Sequence, residues 1–229
     1  MALRGRLKRL MRVLYCTLSG VVHPSATTYR LVRGKDPWHN GHAEYEAVPW
    51  LAEVLACWPD LRVVLTSAQP WKHGLPAVLQ RMPALAGRVV GHTFEDLTTQ
   101  PVRLVRTRSG TGGWRSFSSE DYWRMNKAHI VAAHVYWLGP EAWVAVDDED
   151  TLWRSEHAAH VCIVDGCEGL GHPVEQDRLL RCLRANFGTG RGPILQRVST
   201  LKLAASNTAS AEAPTSCSPV VLTVKLVRA

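Results

Sequence analysis

The chain has 229 residues, 46% of them hydrophobic and 21% charged, the make-up of a water-soluble protein with length for one substantial core and no run long enough to span a membrane. The net charge of +7 belongs to the ends: Arg4, Arg6, Lys8, Arg9 and Arg12 carry +5, residues from Gly188 onward hold five bases against Glu212, and −2 is left for the middle. That distribution reads as solvated surface, or a weak tether to polyanions, and sets aside specific nucleic-acid binding by the fold. The cysteines, at Cys16, Cys57, Cys162, Cys167, Cys182 and Cys217, show no CxxC pair and no zinc spacing, so they are expected as reduced core thiols of a cytoplasmic protein.

In chain order, a basic extension over residues 1–11 leads into VLYCTLSGVVHP, Val13 to Pro24. Charged residues before an apolar run imitate a secretory signal, but here the apolar run has a structural use. Apolar residues ending in small polar ones and Gly20 are the pattern of a buried parallel strand that closes in a tight turn at a site. Ser25 to Gly41 is polar and Gly/Pro-containing, a flap or long loop over the strand ends. Glu44 to Trp58 has helical spacing and stops at Pro59; Leu61 to Thr66 is the second strand, Trp71 to Arg81 a helix, and Arg88 to Gly91 a short third strand. Thr93 to Gly113 reads as loop, with a flexible turn at Gly110–Gly113. A helix capped by Ser118 or Ser119, with Glu120 and Asp121 in its first turn, runs to His134. Ala142 to Val146 and Val161 to Val164 are the fourth and fifth strands, and Pro173 to Asn186 the last helix. Strands alternating with helices predict a Rossmann-like parallel sheet with helices on both faces and a site at the strands' carboxyl ends. From residue 188 the composition turns to Gly, Ala, Ser, Thr and Pro, a disordered tail in which PVVLTVKLV could add an edge strand.

Four segments, GVVHP, VVLTSAQPW, WVAVDDED and CIVDGCEGLGHP, resemble the haloacid dehalogenase-like phosphohydrolases, in particular the small domain of Swiss Army Knife RNA repair-like proteins. The resemblance spans Arg12 to Phe187 and implies that family's fold, a haloacid dehalogenase-like core with a small flap. It implies that Thr17 and Ser19 stand where the family has its nucleophilic and proton-shuttling aspartates. It further implies that Thr66 is the hydroxyl of the second motif with Ser67 beside it, that Lys127 is the third-motif cation with Arg124 as the alternative, and that Asp147 and Asp148 are the acids that bind magnesium.

The chemistry explains why the two replacements matter. A carboxylate attacks phosphorus unaided and forms an acyl phosphate that water opens; a threonine hydroxyl needs a base and would form a slowly hydrolysed ester. Ser19 has no pKa near neutrality for general acid work. Strand alternation turns Cys16 away from Thr17, which makes it a core thiol. Thr17 and Ser19 also fit ordinary strand-end hydroxyls, and Lys127 a solvated helix position. The acid run Asp147, Asp148, Glu149 and Asp150 is expected to stay unburied at the sheet's carboxyl edge, with Asp147 and Asp148 as weak magnesium ligands given the lost carboxylates, or to be an acidic helix start. His23 lies near the site, DGCEGLG is a structural turn, and His129 and His134 are helix-face residues. Three functions remain open: a catalytically impaired pseudoenzyme that binds a phosphorylated small molecule or nucleic-acid end, a magnesium-dependent phosphatase with altered chemistry, and a non-enzymatic protein whose basic ends bind polyanions or a partner.

Overall fold

Strand β1, Arg12–Cys16, forms the centre of the molecule because Val13, Leu14, Tyr15 and Cys16 are apolar on both sides and almost wholly buried. A computed structural model of the chain describes residues 11–25, 27, 42–99, 103–106, 114–116, 118–150 and 152–191, the backbone alone for 103–106 and 114–116. These residues fall within one unit, Met1–Ile194, while a second unit, Leu195–Ala229, lies outside them. So do the basic extension before Met11, the expected flap apart from Ser25 and Thr27, the Gly110–Gly113 turn and the PVVLTVKLV segment.

On one side β1 pairs in parallel with β2, Leu61–Leu65, and on the other with β6, Ala142–Asp147. Beyond them lie β3, Val89–His92, and β7, Val161–Ile163, so five parallel strands run in the order β3-β2-β1-β6-β7. The reversal of strand order lies at β1, between the β2 and β6 ends, where an open α/β sheet leaves a crevice. The expected α/β architecture is therefore present, with one addition. The stretch from Thr93 to Gly113, read as loop, carries a helix, Thr93–Thr99, and one arm of a two-stranded antiparallel ribbon, β4 (Arg103–Arg106) with β5 (Trp114–Ser116).

Two expected helices are each broken in two. Gln69–His73 (α2) and Leu75–Arg81 (α3) are separated by Gly74, whose φ of 80° a helix cannot contain. The helix expected from Ser118 to His134 is Ser119–Arg124, closed into a capping box by Ser118 and Asp121, followed by Lys127–Leu138, whose N-cap is Asn126. Among the described residues the α-helices with defined bounds are, in chain order, α1 (Val48–Ala56), α2, α3, α4 (Pro83–Ala86), α5 (Thr93–Thr99), α6 (Ser119–Arg124), α7 (Lys127–Leu138) and α8 (Pro173–Phe187).

Val13, Tyr15, Val64, Trp143 and Ala145 make one sheet face and pack with Val131 and Leu138 of α7. Alternate strand residues turn to the opposite face, and α1 and α8 bury Leu51, Leu55, Leu179 and Leu183. The far end of α8 is tied to the end of α1: Trp58 Nε1 donates to the Gly188 carbonyl at 3.1 Å, and the Arg191 N–H to the Cys57 carbonyl at 2.7 Å. The folded unit thus extends past residue 188, where the composition suggests a tail. His134 lies on α7, as expected, but on its buried side: it is fully buried, with Nδ1 2.9 Å from the Tyr15 hydroxyl and Nε2 3.0 Å from Asp96, and it links β1, α7 and α5. Burial pushes the Tyr15 phenol well above its ordinary range, so it serves this link as a hydroxyl. No helix among the described residues is long and apolar enough to cross a membrane.

Candidate functional site

Past the end of β1 the chain reads Thr17, Leu18, Ser19, Gly20. Parallel pairing on both sides fixes Thr17 between the neighbouring strand ends: its N–H donates to the Val146 carbonyl at 3.3 Å, and the Thr66 N–H donates to the Cys16 carbonyl at 3.0 Å. The side chains follow the backbone. The Thr17 hydroxyl donates to Asp147 Oδ1 at 3.0 Å and, its proton committed there, accepts from the Thr66 hydroxyl at 2.9 Å. Lys127, first residue of α7, reaches Asp147 Oδ1 at 2.7 Å and Asp148 Oδ1 at 3.0 Å. Five residues, from the ends of β1, β2 and β6 and the start of α7, thus meet at one edge of the sheet.

Two turns hold them there. Gly20 has φ 79°, and a Cβ on it would collide with the Asp148 carboxylate, so only glycine lets this acid pack against the β1 turn. The DGCEGLG segment lies over the same turn: the Leu170 N–H donates to the Val21 carbonyl at 2.7 Å, and the Ser25 N–H to the Gly166 carbonyl at 2.9 Å. Its expected structural role is what the contacts show.

Asp147 corrects the expectation of an unburied acid run, because it is only 2% exposed. No helix starts at Asp147, which ends β6, so the acidic-helix-start alternative also falls. Burial pushes the Asp147 carboxyl up to about 6, with Lys127 opposing the shift and Asp148 adding to it. Burial also works against the charge on Lys127, but the two carboxylates outweigh it and the ammonium is raised. Cys16 is a core thiol as expected: burial, then the Asp147 carboxylate, pushes it up to about 12, which removes any thiolate at neutral pH.

The acids were expected to hold magnesium, and some of their oxygens already have other partners. Asp147 Oδ1 already accepts from Thr17, from Lys127 and, at 2.9 Å, from the Asp148 N–H. Asp148 divides its oxygens between Lys127 and, at 3.3 Å, the Ser25 hydroxyl. An ammonium occupies the point where a cation would balance two carboxylates, and Thr17 supplies no third. Among the described residues no group of three or more His, Cys, Asp or Glu side chains could hold a metal ion.

A cavity of about 540 Å³ opens over this cluster. It is lined by Thr17, Ser19, Ser25, Thr66, Ser67 and Lys127, by Gln69, Lys72, Asn126, Asp148 and Glu149, and by the larger side chains of Tyr122, Trp123, Met125 and Ile130. Ser67 therefore faces the space assigned to it, with its hydroxyl accepting from the Gln69 N–H at 3.3 Å. Ser19 also lines the cavity, one turn from Thr17 and bridged to His23 through the backbone.

Arg124, the alternative to Lys127, pairs with Glu120 on the exposed side of α6 and takes no part in the cavity lining. His23 is likewise not a ligand contact: it is fully buried and its Nδ1 accepts from the Tyr45 N–H at 3.2 Å. Burial, with Arg81 adding and Glu46 opposing, drops its pKa to about 4, so it is a neutral packing residue. Sequence reasoning missed Ser25, Gln69, Lys72, Asn126, Tyr122 and Trp123. Asn126 carried a signal, an N-cap residue directly before a helix, that was hidden by reading one helix through it.

No family model, no curated protein and no solved structure matches the chain. What its site does must be argued from the residues themselves.

Proposed function

We propose that this chain is a haloacid dehalogenase-like phosphohydrolase-fold protein whose first motif has lost both aspartates, and that it binds a phosphorylated ligand without turning it over by the aspartyl route. The observation that carries this reading is the meeting, at the end of the central strand, of Thr17, Thr66, Lys127 and Asp147, the residues to which the resemblance assigns roles. Hydroxyls of Thr66 and Ser67 and the ammonium groups of Lys72 and Lys127 line the cavity and suit phosphoryl oxygens. Thr17 is an arrested nucleophile on this reading. Its proton points to Asp147 Oδ1, and burial, though Lys127 opposes it, leaves that carboxyl raised to about 6, so the arrest lies in the ester that Thr17 would form and not in the lack of a base. An ester on Thr17 would lack the anhydride reactivity that lets water complete a turnover.

The test compares the parent with Thr17→Asp plus Ser19→Asp, measuring thermal stability and phosphate release from a generic aryl phosphate. The parent is expected to gain stability with inorganic phosphate and to release none from the ester. In the double variant a carboxylate replaces a hydroxyl 3.0 Å from Asp147, so it should lose stability alone, recover it with magnesium, and gain ester hydrolysis. Each single variant should give much less than the pair, because such groups act as a unit. Turnover by the parent, or a double variant indifferent to magnesium and inactive, would overturn the reading.

A further inference from the structure

Resting on this phosphate reading, we infer that the cavity mouth is a platform for a planar ring and that the ligand class is a nucleoside monophosphate, phosphate on the hydroxyls and base against Trp123. Tyr122 and Trp123 of the cavity lining belong to an aromatic cluster with one end sunk in the protein. Tyr122 is buried and its hydroxyl is 2.9 Å from that of Thr93. Phe94 meets Tyr122 edge-on at 5.0 Å, Trp123 meets Tyr122 at 5.7 Å, and Trp71 meets Trp123 at 4.7 Å and 67°. The outer members emerge: Trp71 is 44% and Trp123 48% exposed. Trp123 thus meets Tyr122 and Trp71 in T-shaped contacts, keeps about half of its surface exposed and lines the cavity. A rigid half-exposed indole is the side chain on which a base stacks without ordering cost.

The lining is not purely apolar, which separates a nucleoside from an acyl chain as occupant. Asn126 lines the cavity, and its Nδ2 is buried with no hydrogen-bond partner among the described residues. Buried donors are almost always satisfied, and a turn of this side chain toward the cavity would let a sugar oxygen or a ring nitrogen of the ligand satisfy it. Gln69 and Lys72 extend the same polar margin. At about 540 Å³ the cavity falls in the range of small-molecule sites.

The experiment is titration of the full chain with adenosine 5′-monophosphate, ribose 5-phosphate, inorganic phosphate and adenosine, followed calorimetrically and by tryptophan fluorescence. Base stacking predicts that the nucleotide binds at least about tenfold more tightly than ribose 5-phosphate and quenches the fluorescence. Trp123→Leu should erase that ratio while leaving ribose 5-phosphate binding unchanged, and Trp71→Leu should reduce it partly. Equal affinity of the parent for nucleotide and ribose 5-phosphate overturns the platform and leaves the phosphate site standing; this comparison needs no variant to fold. Adenosine binding as tightly as the nucleotide, with no binding of either base-free phosphate, overturns the phosphate reading and leaves the platform. Binding of none of the four overturns both.

Discussion

Lys127 is the residue on which the site's electrostatics depend, and its removal gives the most direct test. Its ammonium, 24% exposed, serves the carboxylates of Asp147 (3% exposed) and Asp148 (18% exposed) at 2.7 and 3.0 Å. Removing one partner of a buried ion pair costs about 3–5 kcal/mol, because the remaining charge has neither water nor counter-ion. Water reaches Lys127 and Asp148 in part, which brings the expected loss for Lys127→Met to about 2–4 kcal/mol, or roughly 5–15 °C in Tm for a domain of this size. The assay is thermal and urea unfolding at pH 7.5. Adding Asp147→Asn to Lys127→Met removes the uncompensated charge while keeping an acceptor for the Thr17 hydroxyl, and should recover at least half the loss. The single variant should also gain stability as pH falls, since protonation neutralises the stranded acids. If Lys127→Met lies within about 0.5 kcal/mol of the parent, the range of ordinary surface substitutions, the ion-pair argument is wrong.

Asp147 itself should impose a pH dependence on the parent. Its folded-state pKa of about 6 exceeds the unfolded value near 4, so between these the folded state holds more protons, and this contribution to stability falls by up to about 3 kcal/mol as pH rises from 4 to 6. Asp147→Asn should remove that slope, and parallel curves for parent and variant from pH 4 to 7 would count against it. Sulfate, dianionic throughout, should bind more tightly as pH falls through about 6, because its arrival favours a protonated Asp147; isothermal titration at pH 5.5 and 7.5 reads this, and equal affinities refute it. Gly20→Ala should cost more than about 1 kcal/mol in unfolding experiments, from the strained φ and from displacement of Asp148. A neutral result would mean that the turn is not fixed as described.

The sheet was legible because its central strands are apolar on both faces and end in small polar residues, a pattern carried in 13–20, 61–67 and 142–148. The two helix breaks were harder: Gly74 interrupts an otherwise helical pattern, and Asn126, which caps α7, is also tolerable inside a helix. Lys127 was legible only through its place between the third and fourth strands of the sheet, since nothing in MNKAH distinguishes it from a solvated lysine. Asp147 was misread as exposed because an acid run looks unburiable; the counter-charge that lets it be buried comes from 20 residues upstream, a pairing that local pattern cannot reveal. The same holds for the aromatic cluster. Trp71, Phe94, Tyr122 and Trp123 come from α2, α5 and α6, and only the fold brings them together.

On the proposed reading, the replaced nucleophile and the engaged acid oxygens are one change seen twice. With a carboxylate at position 17, three acids would surround a single ammonium, an excess of negative charge that a partly buried site tolerates only with a further cation. With Thr17 the excess falls to one, and the new hydroxyl contributes a donor to Asp147 where an acid would repel it. Burial first, and the neighbouring Asp148 carboxylate after it, raise the Asp147 carboxyl to about 6, so it can take up a proton where an added anion demands it. A threonine in that place therefore removes the attacking group and makes the cluster able to stand without a metal. This is why restoring the acid should bring back a requirement for magnesium in stability as well as in turnover, and why stability is the more searching measurement: it responds even where the cavity no longer fits a small test ester.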